Sequence, residues 1–334
     1  MEKVLTLGER AIAGPEGFSQ AERVRYLKEY GSHSQAFSSM QPGMEYFDLA
    51  GIGYIAFMRR WGVLLVLADP VCDQKHFEFI TEKFLTRHPG AQFIQVTKPV
   101  VDILHRKYGY YGTQFGSEIR IDLQKWDLKG RKKQVIRTAI NQAKAMGVEV
   151  RESPVDGHTQ EISESWLKTR ACRKKEIRFL IRPLKNDYTE NSRHFYAYLD
   201  GKAVGFVFFD PIYERSQIIS YVPNISRACV SFKQGLWYVI MSRAMEIFQA
   251  EGVSYLDLGL VPLMVDKEVE PQESRVFRRL LHVVHDKCSF LFNFSGLEFA
   301  KGRFNGQTDR NYCCHTRAVP ALSLLALWRV TGII

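Results

Sequence analysis

The residues able to do chemistry are dispersed, and several familiar catalytic settings are missing. The nine histidines form no catalytic set; His282 and His285 stand three apart with no third ligand in view. No glycine-x-serine-x-glycine elbow presents a serine. None of the six cysteines (Cys72, Cys172, Cys229, Cys288, Cys313 and Cys314) belongs to a CxxC pair, and adjacent Cys313 and Cys314 are poorly placed to bridge each other. All six read as reduced thiols, and no metal is expected. What stands out is positive charge. Lys129, Arg131, Lys132 and Lys133 form the densest basic run. Such a run is by default a solvated face, and nucleic-acid contact is its sharper meaning. Lys133, Arg137, Asn141 and Lys144 recur every three or four residues, so a helix would hold them on one face. The formal charge of +10 favours an anionic partner: a nucleic acid, an anionic lipid surface or a phosphorylated substrate.

Elements must position these groups. Ser19 with Glu22 has the capping-box spacing, and Gly31 can stop the helix between them. Gly51–Met58 and Trp61–Ala68 read as a hairpin ended by Asp69-Pro70. Asp73–Arg87 is helical in pattern, Ala91–Val96 a strand, Val100–Tyr108 a helix and Glu118–Leu123 an alternating strand. Lys129–Gly147 is the clearest helix, with Ile136, Ile140 and Ala143 on one face, and Val148–Arg151 follows as a strand. Beyond Pro154, Gln160–Arg173 is helical. His194–Leu199 and Ala203–Asp210 flank an Asp200-Gly201 hairpin turn, and Gln217–Val222 is a further strand. Gly235–Ala250 is a long helix. Val253–Leu260, Glu273–Val284 and Ser289–Phe294 are expected as strand, helix and strand. No window reaches the length of a membrane span. Pro320–Ile334 is apolar and reads as a core helix, with an interfacial helix on a membrane as the alternative.

This order, helices, antiparallel strands, helix, strand, helix, strand, resembles the GCN5-related N-acetyltransferase fold, and the first part of the chain follows it more loosely. The expected class is therefore α/β: two such lobes, each a mixed, mostly antiparallel sheet flanked by helices. The N-terminal lobe with its connecting helix would span residues 1–153 and the C-terminal catalytic lobe 154–334. Ordinary members hold acetyl-CoA at a glycine-rich turn before a helix. Ser226 to Gly235 stands at that place with Lys233, Gln234 and Gly235 but without the required spacing, which disfavours coenzyme A.

Four segments in order resemble the catalytic domain of the phosphatidylglycerol lysyltransferases (multiple peptide resistance factors). They are LVLADPV ending at Val71; GSEIRIDLQKWDLKGRKKQVIRTAINQAKAMG, Gly116 to Gly147; YLDLGLVPL, Tyr255 to Leu263; and NFSGLEFAKGRFNGQTDRNY, Asn293 to Tyr312. The resemblance covers roughly Tyr26 onward. Ala68, Val261 and Arg303 replace the family's glycine, alanine and second lysine. No counterpart of the membrane-embedded portion of many family members is seen.

The resemblance implies transfer of an amino acid from aminoacyl-tRNA to a lipid headgroup such as phosphatidylglycerol, with aminoacyl-tRNA as co-substrate and no resident cofactor. It puts Lys301 and Arg303 near the reacting ester or the lipid phosphate. Asp257 would hold the donor's α-ammonium. Arg137, Asn141, Gly259, Arg310 and Tyr312 would line the substrate cleft, and Lys129, Arg131, Lys132 and Lys133 would meet the tRNA acceptor stem. Asp69 is expected to shape the turn before Pro70. The implied partners are aminoacyl-tRNA and an anionic phospholipid surface; the implied place is the cytoplasm, at the inner face of the membrane. A peptide, sterol or small-molecule acceptor, an acyl-CoA donor, and a silent basic binding module remain alternatives. The donated amino acid and the oligomeric state stay open.

Overall fold

Helix α1 (Gln20–Tyr30) starts where the sequence places it, for a local reason. The Ser19 hydroxyl accepts the Glu22 N–H and the Glu22 carboxylate accepts the Ser19 N–H, so each residue satisfies a donor of the other. The structure is a computed structural model and describes residues 17–169, 176–229, 235–287 and 294–333.

Among the described residues the strands form one twelve-stranded sheet. Its order is β1 (Glu45–Leu49), β2 (Gly53–Arg60), β3 (Val63–Leu67), β5 (Gln92–Val96), β12 (Gln307–His315), β6 (Tyr111–Asp122), β11 (Tyr255–Pro262), β10 (Gln217–Ala228), β9 (Lys202–Glu214), β8 (Arg193–Leu199) and β7 (Glu149–Glu152). The short β4 (Val71–Cys72) pairs with β2. Only β3–β5 and β10–β11 are parallel; the other pairs are antiparallel. The fold is thus the expected α/β class, a mixed, mostly antiparallel sheet flanked by helices.

Two halves of the sheet repeat one plan. In the first, β1 to β3 run antiparallel, α2 (Phe77–Arg87) crosses to the parallel β5, and α3 (Lys98–Tyr108) leads to β6. In the second, β8 to β10 run antiparallel and α6 (Leu236–Ala250) crosses to the parallel β11. Helices α7 (Arg275–Lys287) and α8 (Phe294–Gly302) then lead to β12. The final strands are exchanged: β12 inserts between β5 and β6, and β6 pairs with β11. Helices α4 (Gln134–Ala145) and α5 (Thr159–Lys168) lie between the halves in sequence, and α9 (Ala321–Thr331) follows β12.

Burial follows the helical periods. Ile80, Phe84, Val100 and Leu104 of α2 and α3 pack on Phe57 and Phe93, while α9 packs Ala326 and Leu327 with Leu65, Leu67 and Ile94 in a separate cluster. Helix α6 is apolar over most of its surface because it is covered on two sides. Met241, Ala244 and Phe248 join Phe195, Phe209 and Leu256, and α4 packs beside it. Gly235 opens α6 at φ 89°, and a Cβ there would lie 3.0 Å from the Ala139 Cβ of α4, so a side chain would disturb that contact.

Several strands run longer than their alternation suggested: β6 begins at Tyr111, β9 ends at Glu214 and β10 ends at Ala228. The strand expected at Ser289–Phe294 falls mostly outside the described residues, and Phe294 begins α8. Strands β1 and β12 were not anticipated; β12 is polar over its first half and apolar only from Tyr312.

Candidate active site

Strands β10 and β11 pair only at Ser220–Tyr255 and Tyr221–Leu256, then part. β10 stays with β9, bending through irregularities at Ile218/Ser220 and Pro223/Ile225; Pro223 has no N–H to offer a neighbour. β11 stays with β6 but slips register between Asp257 and Leu260, around Gly259 at φ 70°. A cavity of about 1850 Å³ fills the gap and extends beneath α4, α7, α8 and α9.

Lys301, from the end of α8, reaches this split. Its Nζ donates to the carbonyls of Leu260 at 2.8 Å and Gly259 at 3.3 Å. Burial pushes its ammonium down to about 8, while Glu118 pulls the other way. A neutral amine there would spend both N–H groups on these carbonyls and keep a lone pair. Gly259 also matters sterically, since a Cβ would sit 3.3 Å from Val222 Cγ2 and 3.9 Å from Lys301 Nζ.

Glu118 sits on β6 between Leu260 of β11 and Asp309 of β12. Its Oε1 accepts from Ser34 Oγ at 2.5 Å and Gln95 Nε2 at 2.7 Å. The loop carrying Ser34 and Gln35 is tied down nearby. Asn224 donates to Ser38 Oγ at 2.9 Å and Asp210 Oδ2 at 2.8 Å, and Arg182 grips both Asp210 oxygens from a buried position. His33 Nδ1 accepts the Gln35 N–H at 2.9 Å, which puts the ring proton on a buried Nε2 that has no acceptor among the described residues.

The site residues expected from sequence divide. Lys301, Gly259, Arg303 and Arg131 line the cavity. Arg303 lies 3.7 Å above the Phe299 ring, a cation–π contact that holds its guanidinium at the wall. Asp257 is not in the cavity: it is buried beneath the sheet, accepting from Arg120 Nε at 2.9 Å and Ser220 Oγ at 2.6 Å, with its acidity weakened by burial. Each of its oxygens is thus engaged by a protein side chain at the strand split.

Arg137 also turns away, donating to the carbonyls of Leu128 and Gly130, and Asn141 is exposed outside the cavity. Helix α4 presents instead Gln134, Thr138 and Gln142, one position round the helix from the expected face. Arg310 pairs with Asp266 and Glu270, and Tyr312 donates to Glu270 at 3.1 Å; both brace the loop before α7. In the basic run, Lys133 lies 4.9 Å from the Trp126 ring centre and donates to the Asp127 carbonyl. Lys132 donates to Asn305, while Lys129 stays exposed. Asp69 caps α3 by accepting the Thr97 N–H and hydroxyl, and so orders the turn.

Sequence reasoning passed over Glu118, Gln35, Gln95 and Asn311. Glu118 had a signal: a charge within an alternating strand, at a position that β6 buries. The glutamines had none, because their loop and bulge are tertiary features. Among the described residues no three His, Cys, Asp or Glu side chains gather as a metal site, and no helix is long and apolar enough to cross a membrane. Cys72, Cys229, Cys313 and Cys314 are free thiols; Cys172 and Cys288 lie outside the described residues.

A mixed sheet whose central parallel pair splays over a cavity, with helices on its faces, places the protein in the GCN5-related acyltransferase class of folds. The chain belongs to the phosphatidylglycerol lysyltransferase C-terminal family, whose model matches residues 24–315. It is 23% identical over 285 residues to the phosphatidylglycerol lysyltransferase of Bacillus subtilis (strain 168), covering 81% of this chain and 32% of that protein. The chain therefore spans about a third of the length of the curated relatives it matches. The structure of L-PGS from Bacillus licheniformis superposes with a TM-score of 0.76 at 19% identity, over 95% of this chain and 98% of that one. The C-terminal domain of a putative lysylphosphatidylglycerol synthetase from Agrobacterium fabrum superposes with a TM-score of 0.78 at 19% identity, over 95% and 99%.

Proposed function

We propose that this chain moves an aminoacyl group from aminoacyl-tRNA to the headgroup hydroxyl of an anionic phospholipid such as phosphatidylglycerol, working at the membrane surface. The observation that carries this reading is the mouth of the cavity. Leu280 of α7 and Phe299 of α8 both line the cavity and stand exposed, so they mark where it opens. Val276 and Val283 of α7 are exposed apolar residues on the same helix as Leu280, with Arg275 and Arg279 exposed beside them, and Leu322 and Leu325 are exposed on α9, which also lines the cavity. An apolar rim edged with arginine suits acyl chains and anionic headgroups.

The chemistry needs little from the protein. The donor is already an activated ester; the lipid hydroxyl attacks its carbonyl carbon, the C–O bond to the ribose breaks, and the proton of the attacking hydroxyl ends on the departing ribose oxygen. Lys301, whose ammonium burial pushes down to about 8, is suited to carry that proton. Arg303 at the wall offers a fixed cation to a phosphate. The exposed Lys129 and Arg131 at the start of α4 offer a salt-sensitive contact to tRNA.

The test is transfer itself. Purified protein is mixed with radiolabelled aminoacyl-tRNAs and phosphatidylglycerol vesicles, then extracted for lipid-soluble label. Label in the lipid phase that falls at least 100-fold in Lys301→Ala is the expected result. Label leaving tRNA only when a cell extract is added points to another acceptor. No effect on any aminoacyl-tRNA overturns the donor assignment, and coenzyme A binding would replace it.

A further inference from the structure

We infer that the tip of the β2–β3 hairpin, formed by Arg59, Arg60, Trp61 and Gly62, is an interfacial anchor that seats the protein on an anionic lipid bilayer, at a place separate from the cavity. The inference rests on the membrane-surface part of the reading above. The turn itself carries it. Arg60 pairs with Val63, so Trp61 and Gly62 alone form the loop, at φ 50° and 76°. Two successive left-handed residues make the turn that Asn-Gly or Gly-Gly forms best, because a bulky side chain is strained there. The largest of side chains thus stands where the backbone suits it least. Packing offers no compensation, since Trp61 is 53% exposed. A strained, exposed indole points to a use outside the fold.

Its neighbours complete the chemistry. The guanidinium carbon of Arg60 lies 5.2 Å from the Trp61 ring centre, so cation and indole form one amphipathic unit. Arg59 meets Glu45 at 3.5 Å with side chains 46% and 47% exposed, a contact too open to cancel its charge. Arg60 takes part in no ion pair among the described residues. The tip therefore offers one indole and two guanidinium groups to its surroundings. That set suits a headgroup layer: the indole enters the boundary between acyl chains and headgroups, and the guanidinium groups meet lipid phosphate.

Position favours lipid over nucleic acid. Met58 and Val63, beside the turn, belong to the same core cluster as Ala326 and Leu327 of α9. Leu65 lies in that cluster too, four residues from Trp61, or about 13 Å along the strand. Helix α9 turns its exposed Leu322 and Leu325 outward. One core thus ties the hairpin to the apolar rim, and two contacts on one rigid unit set how the protein lies on a surface. Single-stranded bases instead need a basic groove with successive aromatic platforms. A two-residue hairpin tip is convex and offers a single ring. The basic run from Lys129 to Lys133 stands apart, at the start of α4.

Trp61→Asn is a clean probe, because Asn-Gly is a preferred sequence for this turn and the ring is lost without harm to the fold. Its melting temperature is expected to equal or exceed that of the wild type. Flotation with phosphatidylglycerol vesicles is expected to show partitioning lowered about fivefold in Trp61→Asn and about fivefold in Arg60→Gln. With phosphatidylcholine vesicles the loss is expected to persist in Trp61→Asn and to vanish in Arg60→Gln, since only the second acts through charge. Bromine-labelled acyl chains are expected to quench tryptophan emission less in Trp61→Asn than in the wild type. Unchanged partitioning of Trp61→Asn overturns the anchor. So does a loss of tRNA binding with partitioning intact, which assigns the tip to nucleic acid. In the transfer assay Trp61→Asn is expected to slow transfer to vesicles by a similar factor. Transfer to a short-chain phosphatidylglycerol dissolved below its micellar concentration is expected to stay unchanged. A wild-type protein that transfers, with partitioning untouched in Trp61→Asn, sinks the anchor and leaves the transferase reading standing. A wild-type protein that partitions through Trp61 but transfers nothing does the reverse. If Trp61→Asn fails to fold, Trp61→Gly supplies the Gly-Gly turn, and unaltered partitioning there also overturns the anchor.

Discussion

Lys301 is a cation held where water is scarce, and that placement has a thermodynamic signature. Its ammonium, ordinarily near 10.5, is pushed down to about 8 by burial. The folded state therefore disfavours the proton that the unfolded chain still binds. The penalty is fully present below pH 8 and fades as pH rises toward 10.5. Lys301→Met is expected to raise thermal stability at pH 7 by on the order of 1–2 kcal/mol, less than the full shift because two hydrogen bonds to carbonyls are lost, and to abolish transfer. Thermal melts at pH 7 and pH 10 check this, the gain shrinking at the higher pH. A variant that melts lower at pH 7 would contradict the argument. Lys301 itself was legible in the sequence through its motif, as were Arg303 and Gly259. The anionic counterpart was not. Asp257 looked the better acid because it stands beside Gly259 in a recognisable segment. Only the ladder shows that its oxygens are taken by Arg120 and Ser220, while Glu118 pairs with Leu260 of β11, whose carbonyl accepts from Lys301.

At the level of elements, periodicity located helices and strands well but not the angle at which they meet the cleft. Helix α4 was expected over Lys129–Gly147 and spans the shorter Gln134–Ala145, with Ile136 and Ala143 buried as their shared face suggested. Which polar stripe meets the cavity depends on how α4 packs against α6, and no local pattern encodes that. Strand β12 was missed for the same reason: its burial comes from neighbours far away in sequence. Its last residue ties this strand to pH. His315 Nδ1 donates to the Arg317 carbonyl, so its Nε2 accepts from Thr113 Oγ1. The neutral ring satisfies both, and burial, which disfavours the charged ring, pushes its pKa down to about 4 from 6.5. Stability is expected to decline as pH falls from 6.5 toward 4, by on the order of 3 kcal/mol from this group. Denaturation across that window should show His315→Asn with a shallower acid slope, by about one proton. An identical slope would assign the acid sensitivity elsewhere.

For the molecule as a whole, the exposed apolar rim on α7 and α9 is separate from the groups at the split. Val283→Glu with Leu325→Glu should lower partitioning to phosphatidylglycerol vesicles at least tenfold and leave the melting temperature within about 2 °C, since surface changes alter stability little. Vesicle flotation and a thermal melt on one preparation test this, and undiminished partitioning would move the contact to another face.

The exchange of β6 and β12 bears on the order in which the chain becomes a protein. Thr113 and His315, joined across these strands, are 202 residues apart. Until residues 307–315 arrive, the first half of the sheet has two open edges, on β5 and β6, with main-chain groups awaiting a partner. Synthesis thus leaves an early fragment that can collapse but cannot close, and closure waits for a long loop to return. A chain divided near residue 153 would leave each part without a strand supplied by the other. Folding, like the site itself, is then expected to be an act of both halves at once.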